Sequence, residues 1–417
     1  METSIFEEKQ ITRAALVSLI TAGTDVEGAE ASLEELELLL ETAGGECAFT
    51  MTQNREKPDA GTYIGAGKLD ELAELCKSND VSLIVFDSEL SPSQIRNIED
   101  ATGVATIDRS MLILDIFALH AKSREGKLQV ELAQLRYVIP RLIGSGKDLS
   151  RLGGGIGTRG PGESKLESDR RHLRRRMASL EEALKEVEQN RLTQRKSRKK
   201  SGVFNIAVVG YTNAGKSTLL NYLTGAGILA EDKLFATLDT TTRKFELPSG
   251  TSVLLTDTVG FIRNLPHHLI KAFRSTLEEA ADCDGVLIVC DYNDSHAFDQ
   301  LEVTKNLLSE LGAGDKPTLL VYNKCDLAQS VPENSDDTVY ISALTGYGVD
   351  ALTERMERMA NGGKRDAVYL FPQGEMSHLN YLYQNCVVKE VEYLPEGVRV
   401  LAAVDEKEAG RFEKWEK

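Results

Sequence analysis

The stretch Val208-Val209-Gly210-Tyr211-Thr212-Asn213-Ala214-Gly215-Lys216-Ser217-Thr218-Leu219-Leu220 decides how this chain is read. It holds the pattern G-x-x-x-x-G-K-S, whose chance occurrence in a chain of 417 residues is on the order of one percent. "VFNIAVV" before it has the continuous apolar run of a buried strand, and "KSTLLNYL" after it opens a helix. Strand, glycine loop and helix N-terminus together aim backbone N–H groups at a phosphate. Lys216 is expected to reach the β- and γ-phosphates, and the Ser217 hydroxyl to ligate Mg²⁺. The fold expected around this stretch is α/β, a Ras-like P-loop domain.

The base is read further on. "PTLLVYNKCD" is a strand ending in Asn323-Lys324-Cys325-Asp326. A carboxylate at Asp326 accepts from both N1–H and the N2 amine of guanine, donors that adenine lacks in that arrangement. Ser342-Ala343-Leu344 follows, with the Ala343 N–H suited to guanine O6. Between the two lies "VLLTDTVG", a strand ending in Asp257-Thr258-Val259-Gly260, where Asp257 is expected to hold Mg²⁺ through water and the Gly260 N–H to meet the γ-phosphate. Lys216, Asp257 and Gly260 are therefore the expected catalytic set. Upstream, Phe235-Ala236-Thr237-Leu238-Asp239 runs into further threonines. Spacing alone leaves Thr237, Thr240, Thr241 and Thr242 open as the second Mg²⁺ ligand. Phe261 stands where Ras-like proteins have a water-orienting glutamine, so slow intrinsic hydrolysis is expected, with a partner or a cation completing the site. Asn213 either shapes the phosphate loop or helps it hold a monovalent cation such as K⁺.

Outside this region, charge is the strongest signal. The chain is acidic, at −16, yet residues 165–200 hold 13 Lys and Arg against 6 Asp and Glu, about +7. Just upstream, Gly153, Gly154, Gly155, Gly157, Gly160, Pro161 and Gly162 exclude regular structure. Leu128, Leu132, Leu135, Ile139 and Leu142 on one side, and Leu166, Leu173, Met177, Leu180, Leu184 and Val187 on the other, are spaced as coiled-coil seams. An antiparallel helical hairpin is expected, with its glycine-rich tip at about 144–163. Arg151, Gly153, Gly154, Gly155, Arg159, Gly160, Arg170, Arg171 and Arg174 would contact RNA there. The blander readings are a flexible linker and a solvated helix face.

The phosphate loop, "FATLD", "DTVGF", "NKCD", "SAL", "GGGIGTRGPGES" with the following "LESDRR", and "YIGAGKLDEL" together resemble the HflX GTPases over nearly the whole chain. That resemblance implies four parts: an N-terminal α/β domain (1–127), the hairpin (128–200), the G domain (201–362) and a small α+β domain (363–417). It further implies GTP and GDP as ligands, the large ribosomal subunit and its rRNA as partner, and dissociation of stalled or idle ribosomes. By motif, Thr237 becomes the Mg²⁺ ligand beside Ser217. Two departures stand out. Thr240 replaces the family's usual Pro, which is expected to loosen that segment. Ser164-Lys165 replaces its usual Thr-Gln, adding a lysine near the tip.

The remaining features fit without adding chemistry. Six scattered cysteines without a CxxC pair suit a reducing cytosol, no apolar run is long enough to span a bilayer, and a monomer is expected. Gly65, Gly67 and Lys68 lack phosphate-loop spacing, and His267 and His268 read as structural. Two other functions compete with a ribosome-coupled GTPase. One is an RNA-binding interaction protein whose turnover is incidental; the other is an ATP-driven RNA-remodelling activity of the N-terminal half. No second phosphate loop supports the latter.

Overall fold

The computed structural model describes residues 12–21, 26–141, 170–187, 189, 203–225, 234–235, 241–264, 266, 269, 282–362, 365–404 and 406–417. They fall into two compact units. The first takes its residues from Met1–Lys200, Leu229–Thr240 and Thr258–Glu278; the second from Ser201–Ile228, Thr241–Asp257 and Glu279–Lys417.

In the first unit a parallel sheet runs in the order β2-β1-β3-β4, from β1 (Thr12–Ile20), β2 (Gly45–Asn54), β3 (Leu83–Phe86) and β4 (Ala105–Asp108). Ala14 to Leu19 are all buried, because a parallel strand with cover on both faces has no polar side to alternate with. The crossovers are α1 (Val26–Thr42), α2 (Ala66–Ser78) and α3 (Pro92–Thr102). α3 starts where its sequence says it should: Ser91 and Gln94 form a reciprocal capping box ahead of Pro92. Asp108 caps α4 (Arg109–His120) by accepting from the Met111 N–H, and α5 (Arg124–Arg141) follows.

α6 (170–187) is the described part of the second expected hairpin arm. Leu132 and Ile139 on α5 and Leu180 on α6 are buried, while Leu128, Leu135, Leu173, Met177, Leu184 and Val187 are half-buried. Two ion pairs tie the arms, Arg176 to both oxygens of Glu131 at 2.6 and 2.8 Å and Arg136 to Glu181 at 2.7 Å. Arg171, Arg174 and Arg175 are exposed and Arg170 half-buried. Leu142, Leu166 and the expected tip, with Arg151, Gly153, Gly154, Gly155, Arg159 and Gly160, lie outside the described residues.

The second unit is built on a six-stranded sheet ordered β10-β9-β8-β5-β7-β6. Its strands are β5 (Phe204–Gly210), β6 (Thr241–Glu246), β7 (Ser252–Asp257), β8 (Gly285–Asp291), β9 (Thr318–Asn323) and β10 (Thr338–Tyr340), and only β6 is antiparallel. From β5 the chain goes first to β6 and β7 on one side, then to β8 on the other. The strand order therefore reverses at the carboxyl end of β5, where doubly wound sheets bind ligands. α7 (Lys216–Thr224), α8 (Ala297–Glu310) and α9 (Val349–Ala360) accompany this sheet. A separate antiparallel sheet, β11-β13-β12, follows from β11 (Arg365–Phe371), β12 (Val387–Leu394) and β13 (Gly397–Val404), with α10 (Ser377–Asn385) and α11 (Glu406–Phe412). Among the described residues, no helix is long and apolar enough to cross a membrane.

Candidate functional site

The loop from Gly210 to Ser217 leaves β5 at the switch point and feeds α7. Its glycines have separate physical reasons. Gly210 has φ 146°, and a Cβ there would lie 2.1 Å from the Val289 carbonyl oxygen. Gly215 has φ 89°, and a Cβ there would lie 2.2 Å from Asn323 Nδ2. Asn213 takes φ 60°, a left-handed conformation that asparagine tolerates, so loop shape by itself calls for this residue type. Tyr211, Thr212 and Ala214 are buried, and Ser217 and Thr218 half-buried. Lys216 is buried and donates to the Tyr211 carbonyl at 2.6 Å. Burial pushes its ammonium down from 10.5 to about 8, against the opposing pull of Asp257 and Cys290.

Ser217 Oγ donates to Asp257 Oδ2 at 2.8 Å, and Asp257 is wholly buried at the end of β7. A hydroxyl and a carboxylate held together make an all-oxygen donor set, which suits a hard cation such as Mg²⁺. In the first unit, Thr258, Val259, Gly260 and Phe261 are all buried, the Phe261 ring 1% exposed. Phe235 is described and buried; Ala236, Thr237, Leu238, Asp239 and Thr240 lie outside the described residues, as do His267 and His268.

Asn323 joins the loops at the end of the sheet. Its Nδ2 donates to the Ala214 carbonyl at 2.9 Å, and its Oδ1 accepts from the Ala343 N–H at 2.8 Å. Lys324 takes φ 64° and pairs with Asp291 at 2.8 Å. The Cys325 N–H donates to the Ile341 carbonyl, and burial pushes its thiol up to about 11, so it stays protonated. Asp326 and Leu344 are exposed and Ser342 and Ala343 buried. The loop after them closes on itself: the Ser342 N–H donates to the Tyr347 carbonyl, and the Gly346 N–H to the Ser342 carbonyl. Gly346 has φ 86°, and a Cβ on it would lie 2.1 Å from the Tyr222 hydroxyl on α7. This packing escaped the sequence reading; its only signal was the pair Gly346 and Gly348 after "SAL".

The phosphate loop, Asp257, the Asn323 segment and the Ser342 loop thus converge at the carboxyl ends of β5, β7, β9 and β10. Glycines and one buried amide hold them in place. Comparison with known proteins finds likenesses among GTPases. Residues 30–118 match a family model described as GTP-binding GTPase N-terminal, residues 120–198 one described as GTP-binding GTPase Middle Region, and residues 205–324 one described as 50S ribosome-binding GTPase. The GTPase HflX of Caldanaerobacter subterraneus subsp. tengcongensis is 50% identical over 392 residues, 94% of this chain and 91% of the relative. That of Escherichia coli K12 is 45% identical over 335 residues, 78% of this chain and 79% of the relative. Among solved structures, a GTP-binding protein from Sulfolobus solfataricus in complex with GDP is 25% identical, covering 84% of this chain and 99% of its own, with a TM-score of 0.44.

Proposed function

The chain belongs to the HflX family of GTPases and hydrolyses GTP, and from that premise we propose that it binds the large ribosomal subunit and couples nucleotide state to ribosome dissociation, rescue or recycling. The observation that carries this reading is the match of residues 205–324 to a 50S ribosome-binding GTPase model. The exposed Arg171, Arg174 and Arg175 on α6 support it, as a cationic face suited to phosphate contacts in rRNA. Arg170 and the tip residues named above belong to the same proposed contact.

In this reading Lys216 binds the β- and γ-phosphates, and the backbone from Gly210 to Thr218 cradles them. Ser217 and Thr237 would hold Mg²⁺, and Asp257 would support it through water. Bound there, Mg²⁺ would neutralise charge on the β- and γ-oxygens. Asp326 selects guanine, the Ala343 N–H meets its O6, and Lys324, Cys325 and Leu344 frame it. The Gly260 N–H meets the γ-phosphate beside Phe235 and the residues that follow it. Phe261 offers no group to orient water, and its buried ring supports a site that needs a partner to finish it. K⁺ held near Asn213 is one such supplement. The site of action is the cytoplasm, where ribosomes are.

GTP turnover measured in potassium buffer with and without purified large subunits tests the proposal. The expected rise is about a hundredfold, roughly 2.7 kcal/mol of barrier lowering. Binding without any rise would leave a docking protein whose turnover is incidental, and failure to bind would refute the ribosomal partner.

A further inference from the structure

Arg109 is the first residue of α4, and its side chain is 2% exposed. It pairs with Asp87 Oδ1 at 2.6 Å and with Glu35 Oε2 at 3.0 Å, and it donates to the Ser32 carbonyl at 3.3 Å. Both carboxylates are themselves buried. Burying one cation with two carboxylates has a desolvation cost that often outweighs the attraction, so stability alone explains such a cluster poorly. What it grips is more informative. Arg109 Nη2 donates to the carbonyl of Arg263 at 3.3 Å, and Glu35 Oε1 accepts the N–H of the same residue at 3.2 Å. Both backbone polar groups of Arg263, three residues beyond Gly260, are therefore held by a single ion pair.

The neighbouring contacts repeat the pattern. Asn264, in a left-handed conformation at φ 52°, donates through Nδ2 to Ser32 Oγ at 3.4 Å. On the other segment proposed to sense the γ-phosphate, the Leu234 N–H donates to Thr42 Oγ1 at 3.3 Å. Phe235, at φ 55°, sets its ring edge-on to Phe117 at 4.7 Å. Left-handed backbone at a non-glycine residue persists where its surroundings over-determine it. Ser32, Glu35 and Thr42 lie along one side of α1, at spacings of three and seven, and all three are buried. α1 therefore carries a polar line inside its packed face, and each member of that line bonds to one of the two segments.

We propose that Arg109, with Glu35, is a positioning residue for GTP hydrolysis: the pair fixes the register of the Arg263 backbone, and through it the placement of the Gly260 N–H that distinguishes triphosphate from diphosphate. This rests on the reading of Asp257–Gly260 as the γ-phosphate-sensing segment. The role assigned to the pair is exerted through the Arg263 backbone that it binds.

The test uses the full chain carrying Arg109→Lys, Glu35→Gln or, at the other segment, Thr42→Val. Affinities for GDP and for a non-hydrolysable GTP analogue are measured beside single-turnover hydrolysis, and circular dichroism reports folding. The expected result for Arg109→Lys is a GDP affinity within twofold of wild type, with the GTP:GDP affinity ratio and the turnover each down at least tenfold. Lysine keeps the charge but lacks the fork that reaches two carboxylates and a carbonyl, so it does not rescue. If Arg109→Lys fails to fold, Glu35→Gln is expected to show the same split. Equal loss for both nucleotides would reduce the pair to a structural role. An unchanged ratio and turnover in folded protein, or a rise in turnover, would overturn the inference. Gly260→Pro, which removes the N–H itself, separates the two layers: if it leaves the ratio intact, the γ-phosphate contact assigned to that N–H fails, whereas a collapsed ratio there beside a normal one in Arg109→Lys overturns only the positioning role of Arg109.

Discussion

Replacing Asn323 by alanine tests whether one buried amide organises the nucleotide site. The side chain is 3% exposed, and the groups it serves belong to Ala214 and Ala343, themselves 2% and 3% exposed. Deleting the amide strands a carbonyl on the phosphate loop and an N–H on the Ser342 loop, where water has poor access. Each stranded group costs about 1–3 kcal/mol, so a total near 3 kcal/mol is expected. For a folding unit of this size, that lowers Tm by roughly 6–12 °C. Part of the same loss reappears in binding, because nucleotide must then order two loops that the wild type holds together in advance. A ten- to hundredfold weakening is expected, about 1.4–2.7 kcal/mol. It should be equal for GDP and a GTP analogue, since the amide bonds only to the backbone of loops whose proposed contacts both nucleotides share. Thermal melts and fluorescent-nucleotide titrations read the two effects separately. Asn323→Asp is the control: it keeps the acceptor for the Ala343 N–H but turns an anionic oxygen towards the Ala214 carbonyl, so it should fare no better than alanine. A melt within a degree of wild type and affinities within threefold would refute the bridge.

Asp326→Asn should abolish the preference for GTP over ATP, because an amide cannot accept from both guanine donors; competition titrations check this, and retained preference would place guanine recognition elsewhere. Lys216 is depressed to about 8 yet must be charged to meet phosphate, so GDP affinity should fall about fivefold from pH 8 to pH 9, roughly 1 kcal/mol, and stay flat in Lys216→Met. The same depression means the unfolded chain holds more protons between pH 8 and 10.5, so protein free of nucleotide should gain stability as pH rises through that window, a gain absent from Lys216→Met in chemical denaturation. Gly210→Ala combines a φ of 146° with a Cβ 2.1 Å from the Val289 carbonyl oxygen and should cost about 3 kcal/mol, read as a lower melt.

Much of the site was legible because its chemistry is local in the chain. Gly210 to Ser217, Asp257 to Gly260 and Asn323 to Asp326 are short runs, each at the end of an apolar strand, and strand ends converge in a doubly wound sheet. What the runs could not show is how they are joined. Asn323 stands in the expected base-recognition motif, and nothing in the sequence signals that its amide also bonds to the backbone of two other loops. Arg109, Glu35 and Asp87 are scattered along the sequence with no periodicity between them, and Ser32, Glu35 and Thr42 read as ordinary polar positions of a helix. Only the fold shows that they point inward. The family resemblance reached further than residue spacing did, since it rested on matches along the whole chain.

The two sets of contacts divide the nucleotide by what it tells the protein. Asn323, Gly215 and the Ser342 loop all belong to the second unit, where the proposed contacts read guanine and the phosphate cradle. GDP and GTP share those features. The residues around Gly260 and Phe235 carry the proposed contacts that only GTP can make, and their hydrogen bonds run to α1 and α4 of the first unit. Affinity and signal are then separable by mutation. A lesion at Asn323 should weaken both nucleotides alike, and a lesion at Arg109 should change their ratio. Such separation would suit the proposed GTPase that changes partner with its nucleotide: the unit that carries the exposed arginines of α6 also holds the segments proposed to sense the γ-phosphate.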